Sequence, residues 1–204
     1  MEQTFLTERN VNFVVSKEKM DEIREFAKKQ FVTTLSQYKT RHQEDRAKIE
    51  YDCITGKTGE WGAYKYLISV GLNCTTPDMK IYQPLDKTWA EDMTCDGGRV
   101  NVKSQTDLQA DRFGLSWTFQ FSGDGGGNTD KIFKKYDPRD LYIFTKVTFN
   151  EDGSASVEIM SVIHVSSLFT LGLFDDPVNP KLVGIKKAVY YNKLKASTKS
   201  LFVV

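Results

Sequence analysis

The stretch "WAEDMTCDGGRVNVKSQ", Trp89 to Gln105, constrains the fold more than any other part of the chain. Two short alternating runs flank Asp-Gly-Gly, the local chemistry of a tight β-hairpin. A two-residue turn at Gly97-Gly98 sets Asp92 opposite Lys103 and Thr94 opposite Asn101, whereas a turn at Asp96-Gly97 sets Asp92 opposite Asn101. Either register gives the same faces, because directly opposed residues point the same way. Met93, Cys95, Val100 and Val102 make an apolar face for the core; Asp92, Thr94, Asn101, Lys103 and Gln105 make a polar one. A carboxylate beside a lysine suits a solvated sheet surface or a site, and the hairpin alone does not choose.

The second informative stretch is "ITGKTGEWGAYKYL", Ile54 to Leu67, with its Gly-Lys-Thr triplet. A phosphate-cradling Walker loop needs a glycine five positions before the glycine of that triplet, and a buried strand ahead of it. Tyr51 stands at that position and the preceding "EDRAKIEYD" is charged, so this reading fails. The spacing instead predicts a helix over Thr58 to Val70. Glu60, Ala63, Tyr64, Leu67 and Gly71 fall on one side of it, and Ala63, Leu67 and Val70 form its apolar stripe. Glu60 therefore lies at the edge of the buried face, either as a site acid or as a complement to the positive helix N-terminus.

From Ser16 to about Tyr51 the chain is charged and helix-prone, with Met20, Ile23, Phe26, Ala27, Phe31 and Leu35 at helical spacing. After the Thr58 helix the texture changes to strands at Trp89–Asp96, Arg99–Gln105, Leu115–Phe121, Leu141–Phe149 and Ala155–Ile163. "NEDG", Asn150 to Gly153, is the turn between the last two. With 204 residues, 40% hydrophobic content and no repeat or long linker, one α/β domain is expected. It divides into a helical N-terminal segment (1–51), a core (52–165) and a basic C-terminal extension (166–204).

Net charge of +1 disfavours coating nucleic acid by bulk attraction but allows a local basic face. Lys181, Lys186, Lys187, Lys193, Lys195 and Lys199 follow Asp176 with no acid among them, either to meet phosphates or to form a solvated face. Cys53, Cys74 and Cys95 lack a C-x-x-C pair and are expected as buried free thiols. His42 and His164 have no cysteine or second histidine nearby, which argues against a histidine metal site or a serine-histidine triad. No apolar run approaches the ~18 residues that span a bilayer, so no membrane association is expected. The polar, acidic N-terminus does not read as a signal peptide, and a cytoplasmic location, in a prokaryotic or phage-infected cell, is the expectation.

"GKTGEWGAYKYL" followed by Asp92, Asn101, Lys103 and Gln105 resembles the PD-(D/E)XK nuclease superfamily, the restriction-endonuclease-like fold. In that family a helix glutamate precedes a hairpin with a metal-binding aspartate on one strand and an acid-x-lysine triplet on the next. The resemblance covers about Lys57 to Gln105. It implies a mixed central sheet flanked by helices, with Glu60 as the helix acid, Asp92 as the hairpin aspartate, Asn101 as the second acid, Lys103 as the lysine and Gln105 as a polar residue beyond it. It further implies Mg2+, with Mn2+ as a substitute, held by Asp92, Glu60 and Asn101. The activity implied is hydrolysis of DNA to a 5′-phosphate, by a sequence-specific restriction or phage-type endonuclease. A homodimer would supply one site per strand. The chemistry suits these residue types: carboxylates hold a hard cation, and a lysine beside it steadies developing phosphoryl charge.

Asn101 departs from the pattern, because an amide oxygen is a neutral and weaker ligand than a carboxylate. Three accounts fit this departure: Glu60 supplies the missing charge naturally, the chain is an inactive DNA-binding relative, or an aspartate has been replaced by design. Asp96 cannot substitute, lying about 13 Å from Asp92 along a strand. For DNA contact the candidates are Lys131, Lys134 and Lys135 after the glycine-rich "SGDGGGNTD", and Arg112; a mobile loop with solvated lysines is the plain alternative. Trp117 and Phe119 alternate with polar residues and are expected in the core.

Overall fold

A computed structural model describes residues 11–39, 45–82, 91–121, 129–138 and 140–199. Side chains of residues 34–39, 131, 198 and 199 lie outside that description, as do His42, Trp89 and most of the glycine-rich stretch.

Strand β1 (Val11–Val15) leads into α1 (Lys17–Lys39) and α2 (Arg46–Ser69). Next come β2 (Met93–Cys95), β3 (Gly98–Thr106), α3 (Asp107–Phe113) and β4 (Ser116–Gln120). Then follow β5 (Leu141–Phe149), β6 (Ala155–His164), α4 (Val165–Thr170), β7 (Phe174–Asp175), β8 (Lys186–Tyr190) and α5 (Tyr191–Lys199). The central sheet has the order β1-β6-β5-β3-β2 and is mixed: β3 and β5 run parallel, and every other pair is antiparallel. A second antiparallel sheet has the order β4-β8-β7. The C-terminal lysine-rich stretch thus contributes β8 and α5.

The central sheet buries both faces, so its strands read as near-continuous apolar runs. Val100, Ile143, Val147, Val157 and Ile159 pack under Met20 and Ile23 of α1 and Ala63 and Leu67 of α2. Residues alternating with these in β5, Tyr142 and Phe144, face the second cluster, with Trp117 and Phe119 of β4, Val189 of β8 and Leu194 of α5. Trp117 and Phe119 are almost wholly buried, as their spacing predicts. The Trp117 indole N–H donates to the Thr145 carbonyl at 2.9 Å, which satisfies its one polar atom.

Helix α2 begins at Arg46, well before the Thr58 start that spacing suggests. Asp45 caps it, its Oδ1 accepting from the Lys48 amide at 3.1 Å. The helix carries three glycines through its middle for a reason visible in the packing. A Cβ at Gly59 would stand 1.9 Å from Ser104 Oγ, and one at Gly62 would stand 2.3 Å from Val157 Cγ1. The helix backbone therefore lies directly on β3 and β6. At Gly56 an added Cβ meets nothing within 4 Å.

The expectation of three free thiols is corrected: Cys74 and Cys95 form a disulfide, leaving Cys53 free. Residues 73–75 run beside β2, where the Thr75 amide donates to Thr94 O at 2.9 Å and the Asp96 amide to Asn73 O at 3.0 Å. Cys74 and Cys95 are thereby opposed across an antiparallel bridge. Their pairing follows from tertiary contact that the spacing could not reveal. Among the described residues, no helix is long and apolar enough to cross a membrane.

The glycine packing sorts three substitutions in one helix. Gly59→Ala and Gly62→Ala should each destabilise by ~1–3 kcal/mol through overpacking. Gly56→Ala should be neutral or stabilise by ~0.5–1 kcal/mol, through helix propensity. Urea titrations of the three variants check the ranking; equal losses at all three would remove this account of the helix–sheet contact.

Candidate functional site

The hairpin turns at Asp96-Gly97, whose φ values of 46° and 79° are the pair of positive angles that the tightest two-residue turn needs. Met93 pairs with Val100 and Cys95 with Gly98. Asp92, one residue before β2, therefore falls beside Asn101, and the alternative register with Asp92 opposite Lys103 does not occur. The Asp92 amide donates to Val100 O at 3.2 Å, and its Oδ2 accepts from the Val102 amide at 2.7 Å. The carboxylate is thus fixed against the strand that carries Asn101 and Lys103.

The close approach of α2 brings in Glu60. It is buried, with its side chain 9% exposed, and its Oε2 accepts from Lys57 Nζ at 2.6 Å. Burial pushes the Glu60 carboxyl up to about 8, the Asp92 charge adds to the rise, and Lys57 only partly opposes it. Asp92 is also raised, by burial first, against the Val102 amide, Lys57 and Lys103. Burial works to lower Lys57, but Glu60 and Asp92 outweigh it and hold the ammonium above its usual range. The structure thus places Glu60, Lys57, Asp92 and Lys103 in one electrostatic neighbourhood. Lys57 bonds Glu60 directly and acts on Asp92 through its charge.

Asp92, Asn101 and Lys103 open onto a cleft of about 640 Å³ between the central sheet and β4-β8. Glu60 and Lys57 stand behind this wall rather than in it. Lys103 Nζ lies 3.3 Å from Asp130 Oδ2 and 4.8 Å from the centre of the Phe119 ring. Asp130 is itself anchored, its amide donating to Gln120 O at 2.8 Å and its Oδ2 accepting from the Gln120 amide at 3.0 Å. Across the floor, Arg99 grips Asp140 through two hydrogen bonds, Nε to Oδ1 at 2.8 Å and Nη2 to Oδ2 at 2.5 Å.

Lys134 and Lys135 are exposed and line the cleft. Lys131 begins a short 3-10 turn, Lys131–Phe133, with its side chain outside the described residues. Arg112 is exposed at the end of α3, its guanidinium 5.0 Å from the Phe113 ring centre, and borders neither the cleft nor the cavity beside it. Gln105 lies outside the cleft. Its Nε2 donates to Gly114 O at 3.2 Å and its Oε1 accepts from the Ser116 amide at 2.8 Å, so both ends of the amide hold the α3–β4 connection.

Two site residues escaped the sequence reading. Asp130 reads there only as the end of a loop, and Lys186 only as one lysine of a tail. Lys186 lies on β8 opposite Gln120 of β4, lines the cleft, and is half-buried. Burial, with the Lys103 charge beside it, lowers its pKa. No local pattern distinguishes Lys186 from Lys187; only the pairing of β8 with β4 turns it inward.

Among the described residues no three His, Cys, Asp or Glu side chains gather as a metal centre. The donors present are two carboxylates, Glu60 and Asp92, and the Asn101 amide. That set fits Mg2+, which commonly takes one or two carboxylates and keeps waters. Glu60, raised by burial and by the Asp92 charge, and Asp92, raised by burial, are carboxyls whose charge a divalent cation would favour. Comparison with family models, with curated proteins and with solved structures finds no match to this chain.

Proposed function

We propose that this chain is a metal-dependent deoxyribonuclease built on a restriction-endonuclease-like core. The observation that carries the reading is the convergence of Glu60 from α2 with Asp92 and Lys103 from the hairpin, beside a cleft lined by Lys134, Lys135 and Lys186. The parallel pairing of β3 with β5 and the packing of α2 on the same sheet are in keeping with that core.

Each residue has a distinct task in this reading. Lys134, Lys135 and Lys186 attract the DNA backbone into the cleft. Lys103 places an ammonium where charge builds on the phosphoryl oxygens, and Asp130 with the Phe119 ring restrains its position. Asp92 and Glu60 would hold Mg2+ with Asn101 alongside. When bound, the cation supplies Lewis acidity and lowers the pKa of water. Lys57 neutralises part of the Glu60 charge and would have to move or share its partner.

Asn101 favours a second reading, a DNA-binding module that does not cleave. A plasmid-nicking assay with Mg2+ or Mn2+ separates the two when Asn101→Asp is run beside the chain as it stands. The nuclease reading expects Asn101→Asp to nick at least tenfold faster, and Lys103→Ala in that background to lose ~10²-fold. DNA binding with no nicking by either form makes the module the correct reading.

The pH dependence follows from the raised acids. Folded Glu60 binds its proton more tightly than the unfolded chain does, so its contribution to stability falls as pH rises from about 4.5 to about 8. Raised Asp92 acts with the same sign from its ordinary value upward. Glu60→Gln should flatten the fall in melting temperature across that window. Mg2+ should bind more tightly toward pH 8 and release a proton on binding at pH 7, seen calorimetrically in buffers of different ionisation enthalpy. Proton-neutral binding would remove Glu60 from the ion's surroundings.

A further inference from the structure

A second cavity, of about 320 Å³, adjoins the cleft, and Lys103, Thr118 and Lys186 belong to the walls of both. Its volume falls within the ~300–1,000 Å³ of ordinary ligand pockets. Two features of the lining suit a ligand. Gly56 leaves an open hollow in the helix surface, with nothing within 4 Å of where a Cβ would stand. Phe113 and Tyr190 add half-buried ring surface, and Tyr190 is held by its hydroxyl, which donates to Asp176 O at 3.1 Å and accepts from the Val178 amide at 2.8 Å.

The boundary with the cleft carries the charge. Lys186 is half-buried and has no carboxylate within ion-pair distance among the described residues, while Lys103 has only Asp130, at 3.3 Å. The lining therefore joins two ammonium groups, at the wall shared with the cleft, to half-buried ring surface and the open side of α2, with the Lys48–Asp52 ion pair also bordering it. A phosphate joined to a flat ring matches that pairing of groups.

We propose that the second cavity receives one unpaired nucleotide of the DNA, its phosphate at Lys103 and Lys186 and its base beside Gly56, Phe113 and Tyr190. The inference rests on the nuclease reading and narrows its substrate. A base stacked inside a duplex cannot enter such a cavity, so the DNA has a displaced or unpaired nucleotide next to the phosphate in the cleft. Ring stacking accepts any base, and the preference is therefore for structure rather than for sequence.

The test uses the full chain in EDTA, so that binding is read without cleavage. Two probes carry the same 2-aminopurine reporter, one in a fully paired duplex and one at a single unpaired position. The unpaired probe should bind at least tenfold more tightly and lose reporter fluorescence as its base stacks. Gly56→Leu fills the hollow and adds helix propensity, so it should keep its melting temperature while the preference drops below twofold. Phe113→Leu removes a ring while keeping most of its apolar volume and should reduce the preference severalfold, which serves if Gly56→Leu does not fold. Equal binding of the two probes, or a preference that survives in both folded variants, overturns the second cavity as a nucleotide site and leaves the nuclease reading standing. No binding of either probe overturns both.

Discussion

The contact on which the rest of the molecule depends is the direct seating of the α2 backbone on the central sheet. Side chains normally hold a helix and a sheet about 10 Å apart, and here Gly59 and Gly62 remove that spacer where Ser104 and Val157 stand. The helix comes down on β3 and β6 at once, and Glu60, the residue after Gly59, is carried into the interior with no choice of exposure. Glycine in a helix costs ~1 kcal/mol relative to alanine. The cost is offset by apolar burial, since Ala63 and Leu67, on the same face, are wholly or almost wholly buried. The placement of Glu60 and the assembly of the core are thus one packing event.

That event sets the electrostatics. A glutamate on a solvated helix face would keep an ordinary pKa, whereas Glu60 reaches about 8 because burial and Asp92 both disfavour its charge. Lys57, three residues earlier on the same helix, is the local compensation, and its bond to Glu60 closes the back of the site. The cleft side has a separate balance: Lys103 faces Asp130, and Lys186 adds an ammonium beside both. Both sides of β3 thus hold acids and ammonium groups together, Glu60 with Lys57 away from the cleft and Asp92 and Asp130 with Lys103 and Lys186 along it.

Much of this was legible in the sequence, for identifiable reasons. The hairpin, its face assignment and the burial of Trp117 and Phe119 follow from period-two patterning and turn chemistry, both local. The P-loop exclusion was likewise local, resting on Tyr51 where a glycine is required. The spacing shows only the Thr58 to Val70 part of α2 because the apolar stripe is confined to it, and the function of Gly59 and Gly62 appears only when Ser104 and Val157 are seen beneath them. Strand β8 and the role of Lys186 were hidden because Lys186–Tyr190 gains its partner, β4, from far away in the chain. The α3 start had a readable signal that passed unused: Thr106 and Gln109 form a reciprocal capping box. The Cys74–Cys95 bond had none, since it needs residues 73–75 to lie along β2.

Asn101 gains a physical account from its neighbours. The hairpin register sets it beside Asp92, and the parallel pairing with β5 sets it beside Tyr142, which packs against the Phe119 and Phe144 rings. A carboxylate at 101 would be a third anion with Asp92 and Glu60, and like charges directly opposed across an antiparallel pair destabilise it. Lys57 already serves Glu60, and Lys103 is engaged by Asp130, so neither ammonium is at hand to offset another charge. An amide keeps the shape and one coordinating oxygen while leaving the cation-free fold less strained by repulsion. In the proposed nuclease the same exchange would weaken the hold on a divalent ion, so stability without metal and affinity for it would pull on position 101 in opposite directions.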